Sequence, residues 1–137
     1  MYVVDASVVL RWFVDQEPDR EAALGWLQRR VADPDLLVAP DLLRFEVHSA
    51  FARLQRDQEA GWAAVGFGLF ERIALRTLPT TRAIFDRGLE LSREFSVGGY
   101  DSVYLAHAEA LHVAWLTADR RVLRRMKDDP RVRDVAE

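Results

Sequence analysis

Tyr2-Val3-Val4-Asp5-Ala6-Ser7-Val8-Val9-Leu10 opens the chain, and the order of its residue types decides the fold class. A short apolar run of strand-forming residues ends on an acid, and a serine then precedes an apolar helix. An aspartate so placed stands at the carboxyl end of a strand, where open α/β sheets hold their ligands. The same order returns near the other terminus, where Val113-Ala114-Trp115-Leu116-Thr117 leads to Asp119 and then to Arg120-Arg121-Val122-Leu123. Taken singly, each aspartate is better read as a helix N-cap, because a short side-chain oxygen satisfies free N–H groups there. Taken as a pair, they mark two strand ends with the same acid.

Outward from these ends, apolar runs at Tyr2–Val4, Leu36–Ala39, Ile73–Leu78 and Val113–Thr117 predict strands. Amphipathic stretches between them predict helices at Val8–Val14, Pro18–Val31, Asp41–Asp57, Glu59–Glu71, Thr81–Glu94, Tyr100–Leu111 and Arg120–Lys127, with Ser7 and Asp41 as capping residues. Pro34, Pro40, Pro79 and Gly98-Gly99 punctuate this pattern without marking a domain boundary. Alternating strands and helices imply an α/β fold: one domain over residues 1–137, with a central, mostly parallel sheet of about five strands and helices on both faces.

Composition narrows the chemistry. The 137 residues are 50% apolar, enough for one core. There is no cysteine, which excludes disulfides, thiolate nucleophiles and cysteine-ligated metal centres and favours an intracellular protein. No apolar stretch is long enough for a bilayer and no basic leader opens the chain, so the expectation is a soluble, cytoplasmic protein with no membrane partner. A net charge of −3 argues against bulk electrostatic coating of nucleic acid. The basic residues nevertheless crowd the C-terminus at Arg120, Arg121, Arg124, Arg125, Lys127, Arg131 and Arg133.

Two further carboxylates share the pattern. Glu46 flanks the apolar stripe Leu43, Val47, Ala50, Leu54, so it sits at the edge of a core and needs a partner: an arginine such as Arg44 or Arg53, or a site. Asp101 begins a helix after Gly98-Gly99-Tyr100 and shares a face with Tyr104, Leu105 and Ala108; N-capping is its bland alternative. If Asp5, Glu46, Asp101 and Asp119 converge above the sheet, their repulsion raises their pKa values and calls for a cation. Oxygen-only ligands select Mg2+ or Mn2+. His48, His107 and His112 share no metal-ligand spacing and do not suggest zinc. A hard divalent ion with open water positions suits phosphodiester hydrolysis, with nucleic acid as substrate.

Together these residues resemble the PIN-domain ribonucleases, most closely the small VapC-type toxins of toxin–antitoxin pairs. The resemblance covers nearly the whole chain and is carried by Val3-Val4-Asp5-Ala6-Ser7, Pro40-Asp41-Leu42-Leu43-Arg44-Phe45-Glu46-Val47, Tyr100-Asp101-Ser102-Val103-Tyr104-Leu105-Ala106 and Leu116-Thr117-Ala118-Asp119, in that order. It implies a PIN-like parallel sheet and an acidic pocket of Asp5, Glu46, Asp101 and Asp119 that binds Mg2+ or Mn2+ and hydrolyses RNA. It also implies a small antitoxin protein that covers the pocket, and a homodimer. Ser7 and Thr117 match polar positions where a hydroxyl orients a carboxylate or a nearby water, with helix capping the alternative for Ser7.

Arg120 and Arg124 are candidates to hold RNA phosphates, against a solvated helix face, the reading preferred for Arg121 and Arg125. Trp12, Trp26, Trp62, Trp115 and Tyr2 are read as core. Aspartyl phosphotransfer is disfavoured because Ala6-Ser7 follows Asp5 where a phosphatase would repeat aspartate. A dinucleotide site is excluded for want of a Gly-x-Gly-x-x-Gly turn. The remaining alternative is a catalytically silent PIN-like module that binds RNA or protein.

Overall fold

The computed structural model describes residues 1–137. Five strands, β1 (Tyr2–Val4), β2 (Leu37–Pro40), β3 (Arg76–Leu78), β4 (Ala114–Thr117) and β5 (Val132–Asp134), form one sheet in the order β3-β2-β1-β4-β5. Every pairing is parallel. Helices α1 (Ala6–Leu10), α2 (Arg20–Ala32), α3 (Leu42–Leu54), α4 (Trp62–Ile73), α5 (Arg82–Phe95), α6 (Gly99–Leu111) and α7 (Arg120–Arg125) fill the connections. From β1 the chain moves outward to β2 and β3, then returns to the other side of β1 to form β4 and β5. The order therefore reverses between β1 and β4, and the crevice beyond their carboxyl ends is the sheet's switch point.

Successive side chains of a strand point to opposite faces, and the central strands use both. Val4, Leu37, Ala39 and Leu116 enter a core with Val8, Val9, Trp26, Leu43, Val47 and Phe51 of α1, α2 and α3. Their neighbours Val3, Val38 and Trp115 enter a second core with Leu91, Tyr104, Leu105 and Val122 of α5, α6 and α7. Burial on both faces explains why these strands read as uninterrupted apolar runs.

The structure corrects several boundaries. The sequence starts the first helix at Val8 behind a Ser7 cap; α1 begins at Ala6 because Asp5 is the cap, its side chain accepting from the Ser7 and Val8 N–H groups. After Leu10 the chain continues as tighter turns, Arg11 N–H to Val8 and Phe13 N–H to Leu10. Asp41 makes no capping bond to α3; its carboxylate takes the Thr80 hydroxyl at 2.6 Å. The expected helix at Glu59 begins instead at Trp62, after Gly61 with φ +87°, a conformation natural to glycine. Of the expected strand Ile73–Leu78 only Arg76–Leu78 is extended, since α4 runs through Ile73 and ends at Ala74 with φ 52°. β5 carries no apolar run to announce it, being a half-buried edge strand of sequence Val-Arg-Asp.

Helices α5 and α6 pack tightly at Gly88, which is buried. A Cβ there would lie 3.3 Å from the Ser102 hydroxyl oxygen and 3.5 Å from the Ser102 carbonyl oxygen. Gly88→Leu is expected to destabilise the fold by about 1–3 kcal/mol through overpacking, measured as a lower urea midpoint at unchanged slope. A midpoint equal to wild type would show that α5 can slide on α6. No helix is long and apolar enough to cross a membrane.

Candidate active site

The reversal between β1 and β4 places Asp5 and Asp119 side by side in the topology, each just beyond the carboxyl end of a strand and each capping the next helix. Asp119 Oδ1 accepts the N–H groups of Arg121 at 2.8 Å and Val122 at 3.4 Å. The N-cap role and the site position are thus held by the same side chains. Asp5 is 5% exposed, and both its oxygens are hydrogen-bonded: Oδ1 accepts the Ser7 N–H at 3.0 Å and the Ser7 hydroxyl at 2.5 Å, and Oδ2 accepts the Trp115 indole N–H at 2.9 Å. Burial pushes its pKa up, opposed by the bonds from Ser7, Thr117 and Trp115.

Ser7 and Thr117 join the two strand ends. Their hydroxyl oxygens lie 3.3 Å apart; Ser7 Oγ also accepts the Ala118 N–H at 2.9 Å, and Thr117 Oγ1 the Asp119 N–H at 3.1 Å. A single hydrogen-bonded strip therefore runs from Asp5 through Ser7 and Thr117 to the backbone of Asp119, fixing the β1 and β4 exits relative to each other.

Glu46 enters from α3 and Asp101 from the first turn of α6. Glu46 forms neither arginine pair open to it by sequence. Arg44 is held by Glu71, and no ion pair links Arg53 to Glu46. Its Oε1 is buried without a hydrogen-bond partner. Burial, with the charges of Asp5 and Asp101, pushes its pKa up to about 7. The Tyr104 hydroxyl lies close enough to lower that proton affinity in part, although neither it nor Glu46 Oε1 completes a well-formed bond. Asp101 is not the α6 cap; Gly98 is, and it offers no side chain. Burial and the charges of Asp5 and Asp119 push Asp101 up to about 6.

Two of the acids thus feel their neighbours: Asp5 and Asp101 act on Glu46, and Asp5 and Asp119 act on Asp101. With side chains placed as they are, no three of them meet at one coordinating point, and drawing them together would cost repulsion that a cation offsets. The donor set fits such a cation. It is all oxygen, and it includes a buried carboxylate oxygen with no protein partner. The histidines stand apart: His48 packs edge-on to Phe67, His107 is buried beside Thr80, and His112 ends α6 with φ 55°.

Sequence reasoning missed two site residues, Trp115 and Tyr104, both fully buried aromatics. Trp115 is core, as read, yet its N–H reaches Asp5. The available signal was chemical: a buried indole N–H needs an acceptor. Among the arginines, Arg120 is engaged by Asp19 and, at 2.6 Å, by Asp134, so its guanidinium is already paired within the fold. Arg125 donates to the Ser96 carbonyl. Arg124 is exposed and forms none of the chain's ion pairs. Beside Glu46 a groove of about 500 Å3 opens between α1, α3 and α6, lined in part by Leu10, Leu42, Phe45, Arg53 and Tyr100.

A parallel α/β sheet with acids at its switch point is the architecture expected of a PIN domain, and the chain matches that family over residues 2–129. Ribonuclease VapC9 of Mycobacterium tuberculosis is 32% identical over 124 residues, 89% of this chain and 88% of the relative. VapC ribonuclease Mb0985 of Mycobacterium bovis is similar to the same extent. The fold is similar to that of PAE2754 from Pyrobaculum aerophilum, with a TM-score of 0.71 and 25% identity over 98% of this chain and 90% of that one. It is also similar to a chain of a toxin–antitoxin complex from Klebsiella pneumoniae, with a TM-score of 0.68 and 16% identity over 100% and 99% of the two chains. The chain belongs to the PIN-domain family and, within it, to the VapC ribonucleases.

Proposed function

We propose that this protein is an endoribonuclease of the VapC toxin type that hydrolyses RNA phosphodiesters with Mg2+ or Mn2+ held by Asp5, Glu46, Asp101 and Asp119. The observation that carries the reading is the gathering of acids at the switch point, where Glu46 keeps a buried oxygen with no hydrogen-bond partner and where burial first, then neighbouring carboxylates, push Glu46 and Asp101 up. Half-buried acids with raised proton affinity are costly to the fold and persist where chemistry uses them. The bound ion would polarise a phosphoryl oxygen and make water a competent nucleophile near neutral pH.

The chain's own part is positioning and proton transfer. Ser7, Trp115 and two backbone N–H groups fix the Asp5 carboxylate, so it loses little freedom on engaging its ligand. Thr117 and Ser7 hold the Asp119 exit against the Asp5 exit. Glu46 Oε1, buried and free of hydrogen bonds, is an acceptor available to orient water or take its proton. Arg124 is exposed beyond Asp119 on α7 and suits a flanking phosphate; Arg120 would first have to leave Asp19 and Asp134.

The same proposal includes a protein partner. The groove beside Glu46, with Phe45 71% and Tyr100 66% exposed, gives an antitoxin segment an apolar surface that leads to the acids. A homodimer and cytoplasmic function complete the reading. Phe67 and Phe70 pack inward; Phe85 and Leu89 on α5, and Val65 and Leu69 on α4, are exposed apolar pairs one turn apart.

The test is cleavage of mixed cellular RNA by the purified chain, free of antitoxin, with Mg2+, with Mn2+ and with chelator. Cleavage that needs the metal is the expected result. Absence of both cleavage and metal binding would leave a silent PIN-like binding module instead.

A further inference from the structure

The two oxygens of Asp5 are used unequally. Oδ1 accepts three donors: the Ser7 N–H at 3.0 Å, the Ser7 hydroxyl at 2.5 Å and the Val8 N–H at 3.3 Å. Oδ2 accepts one, the Trp115 indole at 2.9 Å. A carboxylate oxygen offers about two lone-pair directions, so Oδ1 is filled and the remaining capacity lies on Oδ2, in the direction the indole leaves open.

The indole has little freedom to move. Trp115 is fully buried in the middle of β4, in register with Val3 of β1 and Val132 of β5. It stacks on Tyr104 at 6.0 Å between centroids and 13° between planes. A tryptophan that only filled the core could satisfy its N–H with any backbone carbonyl. Trp12 does so with Ala23 and Trp26 with Val135, both at 2.9 Å. Trp115 instead directs its donor to a carboxylate of the acidic cluster.

We propose that Trp115 is a positioning residue for the divalent cation: its N–H occupies one lone pair of Asp5 Oδ2 and so aims the other at the ion. The inference rests on the metal-dependent reading above and adds to it the oxygen that meets the ion and the core residue that directs it. Tyr104, stacked on the same indole and adjacent to Glu46, ties this placement to the α3 carboxylate.

The experiment compares wild type with two variants of Trp115. One carries benzothienylalanine, which keeps the bicyclic shape and puts sulfur in place of the N–H; the other is Trp115→Phe. Mn2+ affinity is measured by calorimetry, the thermal midpoint is measured in chelator, and RNA cleavage is followed against Mn2+ concentration. The benzothienyl variant is expected to melt near wild type in chelator and to bind Mn2+ about 10–100-fold more weakly, with cleavage recovering at high Mn2+. A merely structural role would lower the melting point and leave the affinity of the folded protein unchanged. Mn2+ affinity within twofold of wild type in a folded benzothienyl variant overturns the inference and leaves the ribonuclease reading intact. If wild type itself binds no Mn2+, both fall together.

Discussion

Asp101→Asn is expected to reduce metal-dependent RNA cleavage by roughly 10^3-fold, the scale of losing one charged group at a reacting centre, while making the metal-free protein more stable at pH 8. The two effects share one cause. In the wild type, burial and the charges of Asp5 and Asp119 raise the Asp101 pKa to about 6. At pH 8 the group is therefore ionised in a place that disfavours ionisation, and its charge in turn raises Glu46. Asparagine keeps the shape and removes the charge, so the folded state gains about 1 kcal/mol at pH 8, after allowance for the solvent that reaches the side chain. At pH 5 the gap narrows, because folded wild-type Asp101 is mostly protonated, but it closes only below the ordinary value of 3.8, where the unfolded carboxyl is protonated too. Cleavage assays and thermal melts in chelator at both pH values check this. Near-wild-type cleavage, or an asparagine variant less stable than wild type at pH 8, would remove Asp101 from the site. The expected pairing of lost activity with gained stability marks a residue kept for function against the interest of the fold.

The fold was legible where burial writes itself into residue type. Val3-Val4, Leu37-Val38 and Trp115-Leu116 are apolar at every position because each strand packs on both faces, and such runs between amphipathic stretches leave few arrangements besides a covered parallel sheet. β5 was not legible for the opposite reason: at the sheet edge, Val132-Arg133-Asp134 needs only partial burial, and its composition is that of a loop. Helix starts were missed where backbone conformation, not side-chain type, sets them, as at Asp19 with φ 62° before α2 and at Gly61 before α4. The acids were legible by address, since Asp5 and Asp119 follow strands and Glu46 flanks a stripe. The side chains that hold them were less so. Ser7 and Thr117 lie within two residues of an acid, and proximity in sequence suggested them. Trp115 touches Asp5 across 110 positions of chain, and Arg120 meets Asp19 across 101; only the closing of β4 against β1 creates such contacts.

In chelator, lowering the pH from 8 to 5 is expected to raise the thermal midpoint of the wild type by about 5–10 °C, contrary to the usual behaviour of salt-bridged carboxylates. The sign follows from the direction of the shifts. Glu46 titrates near 7 in the folded chain against an ordinary 4.5, and Asp101 near 6 against 3.8. Between the ordinary and the folded values the native state holds more protons than the unfolded one, so stability falls as pH rises through that window. With partial exposure discounting both shifts, the pair contributes about 2–3 kcal/mol, which for a chain of this size is several degrees. Mn2+ should reverse the trend, because metal and proton compete for the same oxygens. At 100 times its Kd the ion adds about 2.7 kcal/mol at pH 8, where the acids are ionised, and far less at pH 5, where the proton already neutralises them. Melting curves at pH 5 and pH 8, each with Mn2+ and with chelator, form a closed cycle. Equal stabilisation by Mn2+ at both pH values would show that the ion binds elsewhere than at Glu46 and Asp101. A large gain at pH 8 alone would assign the repulsion, the proton uptake and the metal to one cluster, since only shared ligands make the two stabilisers interchangeable.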